Sequence, residues 1–137
     1  MGALTNYAED ETIKHIFRTG SFTKPSGLHV GLFTAAPGEA GGGTEVTGGS
    51  YARVASAPSD ANWAATVGGN GTTSNAGALT FPAPSANWGS VTHWGIFDAA
   101  TGGNLLVYAA LTTPKTINNG DAAPSFGVGA LTFQIDN

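Results

Sequence analysis

The chain has 137 residues with nine acidic, five basic and three histidine side chains, a net charge of −4 and no cysteine. Charged residues make up 10% of it, against roughly a quarter in an ordinary soluble domain. So little ionisable chemistry argues against an enzyme, the missing thiols exclude cysteine nucleophiles and thiolate metal or iron–sulfur sites, and the few dispersed Lys and Arg offer no stripe for nucleic acid.

The length fits one domain, 1–137, divided into an N-terminal helix region, 1–24, and a β-body, 25–137. The start, Met-Gly-Ala-Leu-Thr-Asn-Tyr, has neither the basic end nor the apolar run of a signal peptide. No stretch approaches the ~18 apolar residues of a membrane helix. The expectation is a protein made in the cytoplasm, soluble and without membrane contact.

Five of the charges fall between Glu9 and Arg18, in a predicted amphipathic helix from Tyr7 to Thr19. Asn6 followed by Glu9 is a capping-box arrangement, acids in the first turn and Lys14 and Arg18 later suit the helix dipole, and Gly20 supplies the stop. At 100° per residue Ala8, Ile13, Ile16 and Phe17 share one arc, opposite Asp10, Glu11, Lys14, His15 and Arg18, so the helix has a face to bury.

After Pro25 the pattern is β. Leu28 to Thr34 alternates as a strand with two usable faces. Ala35 to Ser50 holds six glycines and reads as a long mobile excursion. Further strands are predicted at Tyr51–Ala57, Ala61–Val67, Ala76–Phe81, Val91–Phe97, Leu105–Leu111 and Ala130–Ile135. Asp98–Asn104 reads as a hairpin connection and Asn118–Asp121 as a tight turn. Seven short strands punctuated by turns predict an all-β sandwich or barrel with one short N-terminal helix. Two echoes, GALTF at Gly77 and Gly129 and ANW at Ala61 and Ala86, have different spacings and set no repeat period.

Chemical motifs are sparse. His15, His29 and His93 lack metal-ligand spacing, although His29 and His93 could meet across a sheet with Asp98 nearby. His15 is placed to pair with Glu11 at i, i+4. No G-x-S-x-G or Walker sequence occurs, and Glu39, Glu45, Asp60, Asp98, Asp121 and Asp136 fall mostly in turns, where carboxylates serve the backbone. No catalytic residue, metal or cofactor is therefore expected. Trp63, Trp88 and Trp94, with Tyr51 and Phe81, are large for a core of Ala, Val and Leu. Trp88 and Tyr51 could anchor an interface, or the indoles could stack on a sugar.

Several segments are distinctive: Leu4-Thr5-Asn6-Tyr7, His15-Ile16-Phe17-Arg18, Gly43-Thr44-Glu45-Val46, Gly49-Ser50-Tyr51-Ala52-Arg53, Trp88-Gly89-Ser90-Val91-Thr92-His93 and the run from Gly95-Ile96-Phe97-Asp98 through Asn104-Leu105-Leu106. On these the chain resembles a family of small tailed-bacteriophage virion proteins, often described as tail-fibre proteins. The resemblance implies a component of the phage particle, made in the host cytoplasm. The leading expectation is a non-enzymatic decoration, or cement, protein on the outer surface of the head, bound to the major capsid protein and assembled as a homotrimer. A tail or tail-fibre-associated structural protein is the alternative, and a carbohydrate-binding module a remoter one. Tyr7, His15, Arg18, Glu45, Tyr51, Arg53 and Trp88 are the candidate interface residues, with α-helix and Gly-rich segment as contact elements.

Overall fold

The structure is a computed structural model that describes residues 2–66 and 68–135. Within these, the elements in chain order are β1 (Ala3–Leu4), α1 (Asn6–Phe17), β2 (His29–Ala35), β3 (Thr44–Glu45), β4 (Val54–Ala55), β5 (Thr72–Ser74), β6 (Leu79–Thr80), β7 (Gly89–Phe97), β8 (Leu105–Ile117), β9 (Ser125–Phe126) and β10 (Thr132–Gln134). The chain is all-β with one short N-terminal helix.

The three long strands form the spine of an antiparallel six-stranded sheet. Its order is β1, β8, β7, β2, β3, and β4 shares the outer edge of β2 with β3. The sheet is open, and two short ribbons, β5 with β10 and β6 with β9, complete the β-structure. Val30, Leu32, Val91, Trp94, Ile96, Val107 and Ala109 from the sheet pack with Leu79, Phe81 and Leu131 from the ribbon segments in one buried cluster. The alternation of β2 sends Val30 and Leu32 into this cluster and Phe33 to the opposite face.

That opposite face is built on two glycines. Gly31 of β2 lies directly across from Gly95 of β7. A Cβ on Gly31 would come within 3.0 Å of the Phe97 ring, and one on Gly95 within 2.9 Å of the Phe33 ring and 2.6 Å of Leu105. The bare backbone leaves the floor on which Phe33 and Phe97 stack, centroids 5.9 Å apart and planes 18° from parallel.

A register shift between Ile96 and Phe97, opposite Val107 and Leu105, leaves Leu106 as an extra residue in β8. On the other edge of β8, Thr5 continues the β1–β8 pairing at this point. Its hydroxyl donates to Leu105 O at 2.6 Å, its N–H donates to Leu106 O at 3.0 Å, and its Oγ1 accepts from Ala8 N–H at 3.4 Å. Thr5 is thus the N-cap of α1 and the rivet that fixes the helix to the sheet. The expected cap, Asn6, is the first helical residue instead.

Other boundaries also moved. The strand expected at Tyr51–Ala57 shortens to β4. Of the strand expected at Ala61–Val67, Ala61 and Asn62 are turn, because Ser59 O accepts from both Asn62 and Trp63 N–H, Trp63 bridges to Asn75, and 64–66 form no strand. Val67 and Asp136 lie outside the described residues. Ala76–Phe81 contributes only β6, whereas β8 runs on to Ile117. The segment from Ala35 to Ser50 is a folded excursion: Gly38 and Gly41 exchange two 2.9 Å backbone bonds, β3 pairs with β2, and Val46 is buried.

Candidate functional site

Three of the candidate residues meet. Glu45 on β3 accepts from Arg53 through both carboxylate oxygens, each at 2.8 Å, and Oε1 also accepts from the Tyr51 hydroxyl at 2.9 Å. Arg53 spends its remaining capacity on Ala99 O and Gly102 O, both at 2.8 Å, in the turn between β7 and β8. Its guanidinium lies 3.3 Å from the Phe97 ring centroid. The Tyr51 oxygen accepts from Leu32 N–H at 2.9 Å, filling the gap on the β2 edge between the stretches paired by β3 and β4. Burial pushes the Tyr51 phenol well above its ordinary range; the Leu32 bond lowers it and the Glu45 charge raises it further. The phenol therefore stays a donor.

With the Arg53 side chain only 7% exposed, this cluster clamps the Gly-rich segment to the β7–β8 turn. Trp88, expected as an interface anchor, is buried: its ring meets Tyr51 edge-on at 5.3 Å and its indole N–H donates to Gly49 O at 2.9 Å. Tyr51 is half-buried and stacks on Phe81. Both rings serve the core, because apolar area is worth more inside a small sheet than on its rim.

The remaining candidates, Tyr7, His15 and Arg18, lie on the exposed helix and its C-cap. Tyr7 meets Phe22 edge-on at 6.4 Å, and His15 Nδ1 accepts from Phe22 N–H at 3.2 Å, so two of them hold the returning arm. His15 is not paired with Glu11, which instead binds Lys14 at 2.8 Å. The helix docks through Ala8, with Glu11 and Thr12 half-buried, and leaves out the rest of its expected apolar arc: Ile13, Ile16 and Phe17 are 52%, 63% and 76% exposed.

Beside the helix opens a cleft of about 480 Å³ floored by sheet residues Ile96, Leu106 and Val107 and walled by Leu28, Trp63 and Phe133. Sequence reading missed it, since its walls come from five separated segments. His29 and His93 do not meet: the register sets His29 opposite Phe97 and His93 opposite Phe33. Asp98 accepts from Asn104 N–H and Nδ2, and Asp121 from Asn118 N–H, as hairpin and turn carboxylates. Among the described residues no three His, Asp or Glu side chains gather as metal ligands, and no helix is long and apolar enough to cross a membrane.

No curated protein matches the chain. A family model described as Podophage GP4 fiber I protein gp80 matches residues 3–134, from β1 through β10. The match takes in the Thr5 rivet, the Glu45–Tyr51–Arg53 clamp and both faces of the sheet. The chain belongs to this podophage fibre I protein family and is a phage virion structural protein.

Proposed function

We propose that the protein is a non-enzymatic structural part of the phage tail fibre apparatus, holding neighbouring virion proteins through exposed apolar surface. The observation that carries this reading is the fibre family match over 3–134. It favours attachment at the tail over the head-surface decoration that composition and resemblance placed first.

The chemistry of the chain supports a holding role. Glu45 and Arg53 neutralise one another, and Asp98 and Asp121 are committed to backbone N–H groups. Side chains so engaged brace loops rather than move protons. The largest uncommitted features are apolar, the helix ridge and its neighbouring cleft, and burial of such surface is what drives lasting association.

Gold-labelled antibody against the protein, imaged on intact particles together with a copy count, tests the assignment. Label confined to tails at low copy number is expected. Label spread over heads at high copy number would overturn it in favour of capsid decoration.

A further inference from the structure

Two apolar features adjoin on α1. The first is the ridge of Ile13, Ile16 and Phe17, spaced i, i+3 and i+4 so that the three side chains form one exposed patch rather than scattered singles. The second is the cleft, whose helix wall is Ala8 and Thr12. Ala8, Thr12 and Ile16 follow one i, i+4, i+8 row, so the cleft runs out along the helix onto the ridge. One chain thus carries both a convex and a concave apolar surface.

The charges around them correspond. Along the helix, Glu9 precedes Ile13 and Phe17 in one i, i+4, i+8 row, with Asp10 next to it in the chain. Arg18 follows Phe17 as the extended C-cap, so the ridge has acids before it and a base after it. The cleft rim carries Lys24 and Asp60. Among the described residues none of these five makes an ion pair. A surface of one sign would be repelled by one end of the ridge, whereas the two-signed rim offers a partner to each end.

We propose that the occupant of the cleft is a second copy of this chain, the ridge of one molecule seated in the cleft of another with Glu9 and Asp10 against Lys24. Phe17 is the anchor, being the largest and most exposed of the ridge side chains. Such contact would let fibre proteins gather in multiple copies, but it depends on the surface alone and stands or falls apart from the tail assignment.

Sedimentation velocity of the full chain over a wide concentration range tests it. The wild type is expected to self-associate, more weakly as salt is raised. Phe17→Ser should weaken association by about tenfold or more. Lys24→Glu alone and Glu9→Lys with Asp10→Lys should each be monomeric, and mixing these two proteins should restore association, because every contact then joins opposite charges. All altered positions are exposed, so each variant should keep the wild-type circular dichroism spectrum, with Glu9→Lys plus Asp10→Lys unfolding only slightly earlier because its lysines oppose the helix dipole. A wild type that stays monomeric at its highest soluble concentration, association indifferent to Phe17→Ser, or a mixture that fails to associate would each overturn the proposal.

Discussion

Asn75, 1% exposed, ties three segments together with one side chain. Its Nδ2 donates to Gly77 O and Gly127 O, both at 2.8 Å, and its Oδ1 accepts from Leu131 N–H at 2.9 Å. Those partners sit in or beside the two GALTF echoes, so the echoes mark two strand starts gathered on one amide. Asn75→Leu keeps the volume but leaves Gly77 O and Leu131 N–H without partners, Gly127 O retaining Ala130 N–H at 3.1 Å, and should cost about 2 kcal/mol in urea unfolding. Nothing in the sequence sets this asparagine apart from its neighbours, because its importance lies in burial, which only the fold reveals. Tyr51 carries a different signature. Its phenol is protonated more firmly in the folded chain than in the unfolded one, so the folded state binds the extra proton as pH climbs past the ordinary phenol range near ~10. The stabilisation is complete below that pH and is lost progressively above it. Tyr51→Phe should lower stability at neutral pH through the lost bonds to Glu45 and Leu32, and should flatten the alkaline decline relative to wild type; equal slopes in paired pH titrations of unfolding would refute this.

At the scale of elements, α1 shows what periodicity can and cannot deliver. The helix, its length and its acidic start were legible because local signals agree. Its docking face was legible only at Ala8: the rest of the expected arc, Ile13, Ile16 and Phe17, stays exposed, and the side that meets the sheet is Ala8 with Thr12. Thr5 contributes to this, since its bonds to Leu105 O and Leu106 O fix where the helix starts on the sheet. Thr5→Val preserves shape while removing both the cap and the bond to Leu105 O. It should cost about 2 kcal/mol and lose helical circular dichroism ahead of the β signal on heating. The long strands were legible for a related reason, their alternation being set by two unlike faces. Of the ribbons, β6 and β10 fall inside the predicted strands Ala76–Phe81 and Ala130–Ile135, whereas their partners β9 and β5, and β3, were not legible, because two- and three-residue pairings follow from the surface they cover and not from their own pattern. Of the candidate interface residues, Glu45, Tyr51 and Arg53 are joined in the fold as an internal clamp; the cleft was invisible because its walls meet only in the folded chain.

The whole molecule has an uneven coat of charge. From Pro25 onward Glu45 and Arg53 cancel inside the clamp, and Asp98 and Asp121 are engaged by turns. Hydrogen-bonded carboxylates keep their charge, so residues 25–137, with six acids and two bases, carry the whole net charge of −4, whereas Glu9, Asp10 and Glu11 are balanced by Lys14, Arg18 and Lys24. Glu9, Asp10 and Glu11 are nevertheless the densest run of one sign, and copies repel at long range through the net charge they help to set. Changing all three to glutamine moves the net charge from −4 to −1. Stability should fall by only a few tenths of a kcal/mol to about 1 kcal/mol, since these side chains are partly or fully exposed and act chiefly on the helix dipole. Solubility at neutral pH should drop much more sharply, because the net charge that opposes association approaches zero. Precipitation midpoints in polyethylene glycol, measured from neutral to mildly acidic pH alongside thermal unfolding, separate the two effects. A variant as soluble as wild type at neutral pH would place the dispersing charge elsewhere on the coat.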